Sequence, residues 1–384
     1  MKVKQIYTLI NKVCADAWGV NAPSVSDLSG LISLGESVNP ISNPVGADVF
    51  SKSLIDKIGK TVIRTLDRRV DFKNFIMLPF EFGAILEKID VQPLEAQINN
   101  AWTVGEVGHT TNYFDVYKPN VTSKLFKGIN TWTVKVTIPD TMFRSAFTSE
   151  SAMATFITAI MDSLTGSIEG QLNKMNHTCF ANMIAEKVKA NSNGIIGLVS
   201  AYNTAYGASL TANDTKVLYN KDFDRFAVYM IKKYIGLMEE ESVNYNDENK
   251  VRTTQRDNMH VLIFKDFVAS VEAFLQSDTF HKELVSLPMY DEYGYIQFNK
   301  DSADTRTSIN VIPSSEEGAE SPTAVTQACV IGALLDRMAL GTTIKDRWSA
   351  SDRINGERRT NYTEGADIGY FNDLGENAVI FTLG

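Results

Sequence analysis

Apolar residues recur at two different periods along this chain, and the switches between them divide it. From Ala47 the helical period dominates: Phe50, Leu54, Ile58, Val62 and Leu66 fall every four residues, with Arg64, Arg68 and Arg69 at the C-terminal end, where the helix dipole favours cations. Between residues 80 and 140 the period shortens to two. Trp132, Val134, Val136 and Ile138 alternate with Thr131, Thr133, Lys135 and Thr137, the pattern of a strand with one buried face, and Pro139 ends it. Upstream of that strand, Ala84–Asn130 carries turn residues at Pro93, Gly105, Gly108, Pro119 and Gly128, which predicts a long β-hairpin. At some 20 residues per arm and about 3.3 Å per residue, such a hairpin would reach roughly 60 Å, too far for its own domain to cover.

The strongest helical signal follows. Met153, Ile157, Ile160, Leu164, Ile168, Leu172, Met175, Cys179 and Met183 hold the helical period through Thr148–Ala190, a stretch without proline. One rod of about 65 Å is predicted at about 1.5 Å per residue, unless Gly166 and Gly170 kink it or admit another backbone. After a polar linker at 191–207, helical spacing resumes at Phe226, Met230, Tyr234 and Met238. Met259–Phe264 and Val325–Leu335 read as buried strands, and Lys265–Ser277 as a helix with Val268, Val271, Phe274 and Leu275 on one side. Near the end, Ala366–Phe371 and Ala378–Leu383 flank the turn Asn372–Asn377. Ala378-Val379-Ile380-Phe381 is apolar on both faces and belongs in the centre of a sheet. Residues 1–46, rich in Ser, Asn, Gly and Pro, read as an extended arm rather than a packed domain.

Composition narrows the class. The 384 residues are 44% hydrophobic and 22% charged, as in soluble globular proteins. A net charge of −9 argues against a surface built mainly for phosphate binding. The charge is uneven: residues 1–75 hold ten basic and seven acidic side chains, whereas residues 276–322 hold nine acidic and three basic. Met1–Trp18 lacks the continuous apolar run of a signal peptide, no segment is long and apolar enough for a membrane span, and four N-x-[ST] matches read as chance.

Candidate chemistry is sparse. Gly59-Lys60-Thr61 has Leu54 where a phosphate-binding loop needs glycine. His109, His177, His260 and His281 stand far apart, no G-x-S-x-G occurs, and three cysteines without close spacing give neither a disulfide framework nor a zinc site. Cys179 lies in the apolar stripe, where it acts as a small hydrophobe. Glu239, Glu240, Glu241, Asp247 and Glu248 lack the spacing of a calcium loop and read as a solvated helix end. The run Lys345–Arg359 mixes signs and favours ion pairs within or between subunits. No catalytic, cofactor or metal residues emerge, whereas two elements are too long for the body that carries them.

That order of elements resembles the major capsid proteins of tailed bacteriophages, the Hong Kong 97-type fold. The strings that carry the likeness are Gln276–Val285, Ile331–Met338, Arg358–Tyr362, Ala366–Asp373 and Ala378–Phe381. The likeness runs from about residue 47 to the end and is strongest beyond 260. It implies an α+β fold with an N-terminal arm at 1–46, a helix and the start of the P-domain at 47–83, and an E-loop hairpin at 84–130. A P-domain strand and spine helix would occupy 131–190, an A-domain 191–345, and C-terminal P-domain/A-domain strands 346–384. The spine-helix core would be Met153, Ile157, Ile160, Leu164, Ile168 and Leu172. Assembly contacts are expected at Trp102, Tyr113, Phe114, Tyr117, Lys118, Lys124 and Lys127 in the hairpin, and at Arg347, Arg353, Arg358 and Arg359.

The implied function is that of a head protein without enzymatic activity, forming pentamers and hexamers in an icosahedral virion shell around double-stranded DNA, assembled in the bacterial cytoplasm. Portal and scaffolding proteins would be partners, DNA would be held by charge alone, and neither cofactor nor membrane is implied. An encapsulin-type nanocompartment shares the fold, and a hydrolase with an unrecognised carboxylate site is the alternative from another class. Some members cross-link Lys to Asn, but no matching Asn and Glu are identified for Lys118, Lys124 or Lys127. Many carry a long cleaved N-terminal scaffolding region; residues 1–46 are short for one, so the expectation is either that there is no such region or that scaffolding is a separate protein.

Overall fold

The computed structural model describes residues 3–19, 22–38, 43, 45–50, 52–54, 72, 75–76, 86–92, 94, 114, 116–126, 128–190, 193–275, 290–297, 306–316, 318–354 and 357–384. The expected helical positions Ile58, Val62, Leu66, Arg64, Arg68 and Arg69 lie outside them, as do Gly59-Lys60-Thr61, His109, His281 and Gln276–Val285.

Residues 1–46 are not an extended arm where they are described. Val3–Trp18 forms α1 and Leu28–Ser37 forms α2, capped by the Asp27 side chain on Gly30 N–H; residues 45–50 and 52–54 are helical (α3). In α1 the residues Ile6, Ile10, Val13 and Cys14 share one face and are buried, an i, i+4, i+7, i+8 stripe that the polar composition of the region masks. Asn11 fastens α1 to the next segment through both ends of its amide, accepting from Val25 N–H at 2.7 Å and donating to Val25 C=O at 2.9 Å.

Leu86–Gln92 (β1) and Asn120–Phe126 (β2) pair antiparallel along seven residues each, from Leu86 opposite Phe126 to Gln92 opposite Asn120. Ile129–Pro139 (β3) then leads into the short helix Asp140–Ala146 (α4) and the long helix Glu150–Lys189 (α5). The latter is one continuous helix of 40 residues, about 60 Å at ~1.5 Å per residue. The Ser149 hydroxyl caps it by accepting from Ala152 N–H, and Lys187 and Lys189 occupy its last turn. Nothing lies within 4 Å of a Cβ built on Gly166 or Gly170, so neither glycine marks a close backbone approach.

Helix α5 joins two cores. Its N-terminal part is amphipathic: Met153, Ile157, Ile160, Ile168, Leu172, Met175 and Cys179 pack with α1, α2, α3 and α4 and with Ile138, Tyr362 and Ile368. From Phe180 the helix is buried nearly all round, and Phe180, Ala181, Met183, Ile184 and Ala185 belong to the second core. The Leu164 side chain lies outside the described ones.

The first core is backed by a sheet in the order β10-β11-β3, formed with Leu340–Ile354 (β10) and Arg359–Asn372 (β11). Strand β10 runs through the 345/346 boundary expected from sequence, its pairing shifted only by an irregularity between Ile344 and Asp346. Gly365 is obligatory in β11, because a Cβ there would sit 2.3 Å from the Trp348 ring on β10.

The second core surrounds a five-stranded sheet. Its members are Ile195–Gly197 (β4), Met259–Phe264 (β5), Tyr290–Tyr293 (β6), Val330–Asp336 (β9) and Ala378–Thr382 (β12), in the order β4-β12-β9-β5-β6. Every residue of β5, β9 and β12 is buried, as their unbroken apolar runs require. The expected strand Val325–Leu335 is split: Val325–Gln327 (β8) pairs instead with Ile309–Val311 (β7), and Cys329, at φ 52°, turns the chain between β8 and β9. Helices Leu198–Tyr206 (α6), Lys221–Glu239 (α7) and Lys265–Leu275 (α8) complete this body. Phe72 and Phe75 are buried in it, Phe72 against Phe180 and His177 and Phe75 against His260.

Candidate functional site

The β1–β2 ribbon is mounted with its polar side inward. Side chains alternate along each strand, so Lys88, Asp90 and Gln92 share a face with Thr122 and Lys124, and Ile89 and Val91 share the other with Val121 and Leu125. Register places Lys88 directly opposite Lys124, a repulsive pair in an isolated hairpin. The turn between β11 and β12 resolves it. Asp373 accepts from Lys88 at 2.5 Å through Oδ2 and from Lys124 at 2.6 Å through Oδ1. Glu376 adds a second contact to Lys88 at 2.5 Å, and Glu248 one to Lys124.

The segment after α7 completes the cluster. Lys250 reaches Asp90 at 2.8 Å and Glu248 at 2.9 Å, and donates to Thr122 Oγ1 at 3.2 Å. Arg252 reaches Asp90 at 2.8 Å and donates through Nε to Gly375 C=O at 3.0 Å. Four cations (Lys88, Lys124, Lys250, Arg252) thus alternate with four anions (Asp90, Glu248, Asp373, Glu376). Burial pushes the Asp373 carboxyl up, but the hydrogen bonds from Lys124 and Lys88 outweigh it and hold the group below the usual carboxylate range. Asp90 is held low in the same way by Lys250 and Arg252, whereas at Glu376 burial prevails and the pKa is raised.

Of the expected assembly residues whose side chains are described, Lys124 alone belongs to this cluster. Phe114, Tyr117 and Lys118 are exposed; Trp102, Tyr113 and Lys127 lie outside the described residues. Arg347 and Arg353 lie on β10, with side chains outside the described ones. Arg358, at φ 48°, leads into β11, and its C=O accepts from Asp140 N–H. Arg359 pairs with Glu357, two residues away. The expected solvated acidic end also needs correction: Glu248 is in the ribbon cluster, and Asp247 accepts at 3.2 Å from Lys187, which is fully buried. A strand pattern balanced between its faces does not say which face turns inward, so Asp90, Asp373, Glu376, Lys250 and Arg252 escape sequence reading. The one available signal is the facing Lys88–Lys124 pair, which demands an anion once the register is known.

The buried histidines serve packing. His260 Nε2 lies 2.9 Å from Asp291, and His177 stacks on Tyr295 with ring centroids 4.5 Å apart. Among the described residues no group of His, Cys, Asp and Glu could hold a metal ion, and no helix is long and apolar enough to cross a membrane.

A 40-residue helix linking two cores, with a three-stranded sheet backing one and a five-stranded sheet within the other, fits the α+β fold of Hong Kong 97-type capsid subunits. Solved structures of phage particles share the fold. The capsid structure of Staphylococcus phage Andhra aligns with a TM-score of 0.50 at 10% identity, covering 82% of this chain and 84% of that one. A structure from native bacteriophage P68, described as head fiber and inner core protein gp22, aligns with a TM-score of 0.52 at 8% identity over 83% and 86%. No curated protein matches the sequence. The sequence model of the Phi29-like phage major capsid protein family matches residues 21–382. This chain belongs to that family and is a structural capsid protein of the virion.

Proposed function

We propose that this chain assembles as pentamers and hexamers into a closed icosahedral shell around double-stranded DNA, in the host cytoplasm, with portal and scaffolding proteins as partners and no catalytic role. The observation that carries the reading is the ribbon: it is attached to its own subunit by charge and displays its apolar side, an arrangement suited to a protein completed by neighbours. On this reading the ribbon is the base of the E-loop, residues 84–130. The first core with its three-stranded sheet is the P-domain, and the body around the five-stranded sheet is the A-domain. The net basic stretch 1–75 supports a DNA-facing placement, held by phosphate charge without base reading.

Electron microscopy of particles from cells expressing the chain with the neighbouring head genes tests this. Five- and sixfold capsomers around nuclease-protected DNA are expected. Particles that never protect DNA would overturn the packaging role, and a portal that never co-purifies would overturn that partnership.

A further inference from the structure

A cleft of about 450 Å³ opens where the two cores meet. Met175 and Cys179 on α5 and Tyr370 on β11 form its first-core side. Val311, which packs on the second core, begins the opposite wall, and Ile312, Pro313 and Pro322 in the β7–β8 connection continue it. That wall is strapped to α5. Asn182 donates to Ser314 Oγ at 3.0 Å and accepts from Ser314 N–H at 2.8 Å, and Glu186 accepts from Ser315 N–H and from its hydroxyl, both at 2.7 Å. Lys189 pairs with Glu316 at 2.6 Å. Asn182, Glu186 and Lys189 stand at i, i+4 and i+7 on one side of the helix, so the strap holds the cleft open in a defined shape.

The walls define what fits. A single helical turn, about 11 Å wide and ~5.4 Å long, would take up the whole volume, so the cleft suits a small molecule and not a segment of another chain. Most of the lining is apolar, and Glu316, the one charged side chain on the described walls, is neutralised by Lys189, which leaves no counter-charge for an ionic guest. One polar group stands unpaired. Asn372 donates through Nδ2 to Cys179 C=O at 3.0 Å, which fixes the amide so that Oδ1 can only accept, and Oδ1 is buried with no hydrogen-bond partner among the described residues. We propose that this cleft binds a neutral, mainly apolar molecule carrying one hydroxyl, with the hydroxyl donated to Asn372 and the apolar body laid between Met175 and Val311. A guest there touches both cores at once, so its binding ties the body around the five-stranded sheet to the one backed by the three-stranded sheet. The inference goes beyond the shell reading and does not depend on it.

The test titrates para-pentylphenol, uncharged at neutral pH, into the purified chain by calorimetry, with para-pentylbenzoate as its anionic counterpart. Saturable binding of one phenol per chain is expected, with the benzoate about tenfold weaker. Thr178 is exposed and borders the cleft, so Thr178→Trp fills the space without disturbing a core; it should melt as wild type does and weaken the phenol about tenfold. Asn372→Leu removes the acceptor and should weaken it about fivefold. A phenol signal that never saturates, or equal affinity in wild type and Thr178→Trp, would overturn the site. Equal affinity for phenol and benzoate would overturn the neutral class of ligand, and unchanged affinity in Asn372→Leu the hydroxyl contact. A neighbouring chain seated in the cleft, in electron-microscopy maps of assembled particles, would overturn the small molecule as its occupant.

Discussion

Asp224 is fully buried in the first turn of α7, and neither of its carboxylate oxygens has a hydrogen-bond partner among the described residues. Burial raises its pKa to about 7, against an ordinary value of 3.8. The sign follows: the folded state holds the proton more tightly than the unfolded one, so this contribution is complete below the ordinary carboxylate pKa and is lost as pH rises through 7. At about 1.4 kcal/mol per pH unit of displacement, the loss is complete by pH 8 and is on the order of 4 kcal/mol. Asp224→Asn should therefore melt higher than wild type at pH 8.5 and flatten the pH dependence between about 4 and 7 in thermal denaturation. Gly166 is a second residue-scale test. It stands mid-helix with open space around it, and Gly166→Ala should stabilise the isolated subunit by about 0.5–1 kcal/mol. At this scale the helical period accounts for the burial of Met153, Ile157, Ile160, Ile168 and Leu172 in α5, whereas Asp224 looks like an ordinary acidic residue near a helix start.

The ribbon is an element whose position depends on a few charges. Asp373, its side chain 1% exposed, holds Lys88 and Lys124 together, and Asp373→Asn removes the one carboxylate the two facing lysines share, leaving Lys88 to Glu376 and Lys124 to Glu248. Breaking a buried pair from one side typically costs about 3–5 kcal/mol, and the remaining carboxylates and the partial exposure of the lysine partners bring this to about 1–3. The variant should keep the melting of the five-stranded sheet while amides of β1 and β2 lose protection in hydrogen exchange. Equal protection in both proteins would rule out the charge seat. The same seat responds to acid. Asp90 and Asp373 sit below their unfolded pKa, so their contribution is present above about pH 4 and is lost as pH falls through the folded values; Glu376, shifted upward, works in the opposite sense. Ribbon protection should thus persist at pH 5 and fail in stronger acid. The long helix is readable because its period is local, and of the hairpin expected over 84–130 with some 20 residues per arm the described residues hold two paired strands of seven residues each. The inward face of the ribbon and the helices within residues 1–46 are not readable, because the first depends on partners more than 100 residues away and the second on tertiary packing of short amphipathic segments.

For the whole molecule, the two cores and the continuous helix between them make a subunit that folds without the distal part of the hairpin. Replacing residues 93–119 by a short turn should leave a monomer with near wild-type melting that fails to close shells; closed shells from that variant would remove the hairpin from assembly. The Hong Kong 97-type resemblance carried by Ile331–Met338 and Ala378–Phe381 coincides with β9 and β12, fully buried strands of the second sheet, which explains why the likeness is strongest there. Surfaces that act between subunits leave a weaker trace, since their burial is completed only in the assembly. The most direct test of the central claim is the mass of the purified wild-type chain by light scattering across concentration, with negative-stain images of the same sample. Rings, tubes or closed particles of uniform size are predicted. A monomer at every concentration, unchanged when the assembly partners are co-expressed, would contradict it.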